Sequence, residues 1–310
     1  MKKMAIGVDI GGSHITCQLV NLATPGVDGN SKVRLPVNGK ASKETIIAGW
    51  VEAIRKTIGT TRLDSLAGIG FAMPGPFDYP NGVAWFKGVQ KFENLYGVNV
   101  KAELINHLRL PESFPVRFLN DAACFAVGET WLGNAARYRR VIALTLGTGF
   151  GTTFIRDGLP VAGTDGIPTD GFLYHVPFRD SVADDYFSTR WFLKEYNLIP
   201  GQQVSGVKEL AEKVKTDKNA ANLFRDFGIN LGTFLCDWIK KFDAECVVIG
   251  GNISKSYPLF REEMEFQFQK NGIGTVVRLS SLDEDAALMG SARLCDNRFY
   301  QKLIETKILS

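Results

Sequence analysis

The chain has 310 residues, 45% of them apolar and 22% charged, the proportions of a globular protein long enough for two ordinary domains with substantial cores. The formal net charge is +3 and the basic groups are short (Arg137 to Arg140, Lys240-Lys241), which excludes the clustered footprint of a nucleic-acid-binding surface. The N-terminus reaches Asp9 and Gly11 too soon for a signal peptide, and no stretch is long and apolar enough to cross a membrane, so the expectation is a cytoplasmic chain without membrane partners.

In chain order, Met4 to Val8 is an apolar run closed by Asp9 and Gly11-Gly12. Ile15 to Val20 resumes the β pattern, which predicts a hairpin and not the start of a helix. Pro25, Gly26, Gly29 and Asn30 mark a loop. Ser42 to Ile58 is a predicted helix, with Ser42 as N-cap and Ile47, Trp50, Val51, Ile54 and Ile58 on one face. Leu66 to Ala72 is a strand ending at Pro74-Gly75-Pro76. Leu104 to Leu108 reads as helix, Val116 to Leu119 as strand, and Ala122 to Leu132 as helix.

The theme then repeats. Val141 to Leu146 is a strand ending in Gly147-Thr148-Gly149, with Gly151 to Ile155 as its hairpin partner and Asp157-Gly158 as the next turn. Gly163 to Pro177 reads as a loop, and Asp184 to Tyr196 opens a helical region. Ala220 to Phe242 is a long helix, Cys246 to Ile249 a strand closed by Gly250-Gly251, Tyr257 to Phe266 a candidate helix, and Glu284 to Leu294 the final helix. Strand–turn–strand followed by alternating strands and helices, once from Met4 and again from Val141, predicts two α/β layers. The division falls after Leu119: residues 1–119, joined by a C-terminal helix over 290–310, and residues 120–289.

Four segments have chemistry available to them. Glycines after a strand, as at Gly11-Gly12, allow positive φ and close backbone approach, so that amides there, with the Ser13 hydroxyl, can bind phosphate oxygens. Asp9 can hold Mg²⁺ through water. An ordinary hairpin turn with an Asx bond from Asp9 explains the same residues. Gly147-Thr148-Gly149-Phe150-Gly151 also lies between two strands. It lacks the following helix of a dinucleotide fingerprint and the Gly-Lys-Ser/Thr ending of a P-loop. Gly250-Gly251 would let a base or ribose approach the backbone, and equally reads as a plain strand-to-helix turn. Asn120-Asp121 ends a strand, where ligands collect in α/β sheets. Asp121 can accept a proton from an attacking hydroxyl and Asn120 can bind neighbouring hydroxyls, although a helix N-cap is the alternative role.

Taken in order, Asp9-x-Gly-Gly-Ser13, Gly70-Phe-Ala-Met-Pro-Gly75-Pro76, Asn120-Asp121-Ala122, Gly128-Glu129, Leu146-Gly-Thr-Gly149 and Ile249-Gly-Gly251 resemble the ROK family, from about Ala5 to Leu294. Its members are sugar kinases, open reading frames and repressors. The resemblance implies a two-domain actin/hexokinase-like (ribonuclease H-like) α/β fold with mixed sheets flanked by helices. It implies ATP-dependent phosphorylation of a hexose or hexose derivative, Mg²⁺, and a homodimer. It casts Asp121 as catalytic base and Pro74, Gly75 and Asn120 as sugar contacts. Gly11, Gly12 and Ser13 become the first phosphate turn, Thr148 and Gly149 the second, Gly250 and Gly251 the adenosine segment, and Asp9 the acid near Mg²⁺.

The pattern departs from the family over one stretch. A Glu-x-Gly-His motif and a cysteine-rich zinc motif are replaced by Gly166-Ile-Pro-Thr-Asp170-Gly-Phe-Leu-Tyr-His175. His175 is the matching sugar contact, with Asp170 as its nearest acidic partner. Asp184-Asp-Tyr186-Phe-Ser188 resembles the family's Glu-x-Tyr-x-Ser with Asp184 as the sugar contact. Cys17, Cys124, Cys236, Cys246 and Cys295 are scattered, so no zinc is expected. A sugar-responsive repressor, a non-catalytic sugar-binding protein and an ATPase of actin or chaperone type are the competing expectations. With the first strand starting at Met4, a preceding helix-turn-helix is not expected.

Overall fold

The computed structural model describes residues 3–27, 29–164 and 166–309, so Asp165 of the expected 163–177 loop lies outside it. The chain divides into two compact units, Met1–Gly133 with Glu284–Ser310, and Asn134–Asp283.

In the first unit the order is β1 (Met4–Ile10), β2 (His14–Asn21), β3 (Gly26–Val27), β4 (Val33–Pro36), α1 (Lys43–Ile58), β5 (Leu66–Met73), β6 (Phe77–Asp78), β7 (Val83–Ala84), α2 (Val100–Leu108), β8 (Val116–Asn120) and α3 (Asp121–Trp131). Its main sheet runs β3-β2-β1-β5-β8, with β4 also on β2. The β1–β2 pair is antiparallel, while β1–β5 and β5–β8 are parallel. The Ser42 side chain caps α1 on Thr45 N–H. The α1 face of Ile46, Ile47, Trp50 and Ile54 packs into a core with Phe71, Phe92 and Phe118.

The second unit repeats that layout. It contains β9 (Arg140–Leu146), β10 (Phe150–Arg156), β11 (Leu159–Val161), β12 (Pro177–Phe178), β13 (Ser181–Val182), α4 (Ala183–Tyr186), α5 (Thr189–Asn197), α6 (Val207–Lys213), α7 (Lys218–Phe242), β14 (Cys246–Gly250), α8 (Arg261–Lys270) and β15 (Val276–Leu279). The sheet order is β11-β10-β9-β14-β15, again an antiparallel side followed by two parallel pairs. The Asp157-Gly158 turn has positive φ at both residues, which matches the right-handed twist of the β10–β11 hairpin. α7 lies on an aromatic core that includes Phe150, Phe187, Phe192 and Phe227.

The chain returns to the first unit as α9 (Asp285–Arg293) and α10 (Asn297–Ile304). The strand and helix pattern puts the divisions after Leu119 and at 289/290. The packing divides it at 133/134 and 283/284, because α3 and α9 lie against each other and α9 lies against β1 and β5. Glycine makes that approach possible. A β-carbon on Gly70 would stand 1.8 Å from the Ser291 carbonyl oxygen, and one on Gly290 1.8 Å from that of Cys124. The expected helix over Tyr257 to Phe266 is a 3₁₀ segment, Asn252–Leu259, then α8, because Pro258 lacks the N–H that an α-helix needs there.

Candidate functional site

Register assembles the first-unit residues. Asp9 on β1 pairs with Ala72 on β5, which pairs with Leu119 on β8. Asp9, the Pro74-Gly75 turn and Asn120-Asp121 therefore sit along one edge, at the C-terminal ends of three parallel strands. Gly75 is exposed there and Pro74 is buried beneath it.

Asp9 is half-buried. Burial and the negative charges of Asp121 and Glu284, against the opposing pull of Arg34 and Lys91, push its carboxyl up to about 7. Arg34 is itself paired with Glu284 at 2.8 Å, and Lys32 of the same region pairs with Asp285. The segment 32–34 is thus fastened to the start of α9.

Asn120 caps α3: its side-chain oxygen accepts from Ala122 N–H (3.0 Å) and Ala123 N–H (3.2 Å). That fixes the amide, and its Nδ2 donates to the Tyr79 hydroxyl (3.3 Å), which donates to the Met73 carbonyl (3.2 Å). The cap role that the sequence offers as the alternative is thus taken by the side-chain oxygen, and Nδ2 is the group turned away from the helix. Tyr79, whose task no local sequence pattern announces, links the Asn120 amide to the Pro74-Gly75 turn. Asp121 is half-exposed, with Ala122 N–H on its Oδ1 at 2.9 Å.

The first glycine turn differs from expectation. Neither Gly11 nor Gly12 has positive φ, and Gly11 N–H is used inside the hairpin, on the His14 carbonyl (2.9 Å). What glycine supplies is space: a β-carbon on Gly11 would meet the His14 ring at 3.0 Å. Gly12 and Ser13 are exposed.

In the second unit, two glycine turns meet. Gly250 ends β14 beside β9, and Gly251 has φ +83°, with a β-carbon there falling 2.4 Å from the Leu146 carbonyl oxygen. Only glycine satisfies both demands. A β-carbon on Gly147 would project into open space, and Thr148 is exposed. The carbonyl of Gly147 accepts from Thr189 N–H (2.8 Å) and that of Thr148 from Arg190 (3.1 Å).

Asp184 belongs to the same turn. One carboxylate oxygen accepts Phe150 N–H at 2.7 Å and the other takes Arg190, so both oxygens help to hold the Gly149 turn in place. His175 is exposed, its Nδ1 3.5 Å from Asp170 Oδ2 and its ring on the edge of Tyr174. Among the described residues, no three His, Cys, Asp or Glu side chains form a metal-holding group, and no helix is long and apolar enough to cross a membrane.

A mixed sheet with an antiparallel hairpin and two parallel neighbours, made twice, with glycine turns and carboxylates at the strand ends, is the actin/hexokinase-type fold. The family model described as the ROK family matches residues 5–298, and the chain belongs to the ROK family. It is 27% identical to a glucokinase of Thermotoga maritima over 96% of this chain and 98% of that one. A ROK family glucokinase from Streptomyces griseus, solved in complex with glucose and AMPPNP, superposes with a TM-score of 0.73 at 22% identity, over 94% of this chain and 98% of that one. A ROK family transcriptional regulator, a homologue of the E. coli MLC protein, superposes with a TM-score of 0.77 at 16% identity, over all of this chain and 81% of that one.

Proposed function

We propose that this chain is an ATP-dependent kinase of a hexose or hexose derivative. The observation that carries the reading is the strand-end row in which Asp121 stands with Asn120, the Pro74-Gly75 turn and Asp9. Kinship with the Thermotoga maritima glucokinase along nearly the whole of both chains supports it. Asn120 and Gly75 would bind the sugar, and the Gly11-Gly12-Ser13 turn a phosphate of ATP. Thr148 and Gly149 would bind further phosphate oxygens and Gly250-Gly251 the adenosine, in keeping with the AMPPNP complex of the Streptomyces griseus enzyme.

Asp121 accepts the sugar hydroxyl proton as that oxygen bonds to the γ-phosphorus and the bond from phosphorus to the β,γ-bridging oxygen breaks, leaving ADP. Mg²⁺ suits the donor set, since Asp9 is a carboxylate destabilised by its acidic neighbours and a single carboxylate with water and phosphates satisfies this ion. It would be held by Asp9 through water and would supply charge neutralisation of the phosphates.

ADP release measured across a panel of hexoses and amino sugars tests the reading. Sugar-dependent release is expected, and Asp121→Asn should lower kcat by at least about 100-fold while sugar binding persists. Wild-type turnover in that variant removes Asp121 as base. Release without sugar points to an ATPase. The use of both Asp184 oxygens within its own turn, together with the regulator in the family, favours one second reading, a sugar-binding protein without transfer. Sugar binding with no ADP release from any sugar would select it. A homodimer accompanies the kinase reading, and sedimentation of the intact chain reads it directly.

A further inference from the structure

Lys91 lies over the first glycine turn. Its Cδ is 3.7 Å and its Nζ 4.0 Å from where a β-carbon of Gly12 would be, and its own Cβ stands 3.3 Å from the same point on Gly39. It is half-buried, and its charge acts on Asp9. Two cations act on Asp9 in this way, and the other, Arg34, is already paired with Glu284. Among the described residues, no side chain or carbonyl takes a hydrogen bond or ion pair from the Lys91 ammonium.

The backbone that presents it is strained. Gln90 and Phe92, on either side, have φ of +62° and +59°, a region that non-glycine residues with bulky side chains rarely enter. The strain is held by contacts on both sides. Phe92 is fully buried against Trp50 and Phe86, and its N–H bonds to the Gly39 carbonyl at 2.6 Å. Gln90 N–H bonds to Glu93 Oε1 at 3.0 Å. Strain that its surroundings maintain is characteristic of residues placed for function.

We propose that the Lys91 ammonium binds the terminal phosphate of the nucleotide at the Gly11-Gly12-Ser13 turn and stays on the phosphoryl group as it transfers. This rests on the kinase reading. Lys91 takes no part in proton transfer: the hydroxyl proton goes to Asp121, and ADP leaves without one from Lys91. Its part is to oppose the charge carried by the phosphoryl oxygens where Asp9 and Asp121 would otherwise repel them.

The test is Lys91→Met in the full chain, with two readouts. In ADP release, kcat should fall by about 100-fold with the sugar KM within about twofold. In direct binding, affinity for AMPPNP should fall at least about tenfold while that for AMP, which lacks the terminal phosphates, is unchanged. Lys91→Cys alkylated with 2-bromoethylamine, which rebuilds a lysine-like ammonium, should recover both. The chemistry is selective because all five native cysteines are buried. Recovery separates lost charge from lost folding.

Wild-type kcat and AMPPNP affinity in Lys91→Met overturn the proposal and leave the kinase reading intact. A wild-type chain that releases no ADP with any sugar overturns the kinase reading, and AMPPNP affinity then decides Lys91 by itself. No AMPPNP binding by the wild type, or equal binding by variant and wild type, rejects the assignment.

Discussion

Burial and its acidic neighbours push the Asp9 carboxyl of the folded chain up to about 7, against an ordinary aspartate value of 3.8. Between those values the folded state holds a proton that the unfolded chain has released, so stability falls as pH rises through this window and levels off above it. Asp9→Asn removes the titration. Its stability relative to wild type should therefore improve between pH 5 and pH 8, by roughly 2–3 kcal/mol, in melts with chelator present. A difference that stays constant over this range would mean that Asp9 is not held protonated. The same residue is the one expected to sit near Mg²⁺, so the variant should be more stable and less active, the usual exchange at a functional site. Asp9 and Asn120-Asp121 are legible in the sequence because acidic and amide residues directly after an apolar strand have few roles. The tasks of Tyr79, Arg190 and Lys91 are not legible. Each depends on a partner distant in sequence: Tyr79 on Asn120, Arg190 on the Thr148 carbonyl, and Lys91 on Gly12.

At the scale of elements, the α3–α9 contact is made by backbone meeting backbone. A β-carbon on Gly290 would lie 1.8 Å from the Cys124 carbonyl oxygen, and one on Gly128 2.0 Å from that of Ala286. Helices this close cannot yield by rotating a side chain, so Gly290→Ala must separate α3 from α9. The cost is at or above the roughly 1–3 kcal/mol usual for overpacking, even though alanine is the better helix former. The melting temperature should drop by several degrees. An unchanged or raised midpoint would mean that the two helices have room to move apart. The helices themselves are readable from spacing: α1 with its Ser42 cap and α7 with its apolar stripe occur where periodicity puts them. The β6–β7 hairpin and α6 escape the same reading because two-residue strands and a seven-residue helix are too short to show a period. The glycines that allow α9 to approach look like ordinary helix interruptions until their neighbours are known.

At the scale of the molecule, the two units differ in continuity. The second is one uninterrupted segment, Asn134–Asp283, while the first is built from both ends of the chain. Every strand of the β11-β10-β9-β14-β15 sheet and the aromatic core around Phe187 and Phe227 come from within the segment. Its two ends are tied together by Asn134 Nδ2, which donates to the Leu279 carbonyl at 3.0 Å. A segment of about 150 residues with its own core and adjacent ends has what independent folding requires. The first unit lacks this, because Gly7 and Gly70, on β1 and β5, are covered by α9 at the backbones of Leu288 and Ser291. Without residues 284–310, the strand row that carries Asp9 and Pro74 loses the helix packed on it. Residues 134–283 expressed alone should therefore melt cooperatively with dispersed amide resonances, whereas residues 1–133 should not. Residues 1–133 should recover a cooperative melt when 284–310 is appended through a flexible linker. A cooperative melt of 1–133 alone would show that α9 is dispensable to the site-bearing sheet, and a molten 134–283 would show that the second core depends on the first.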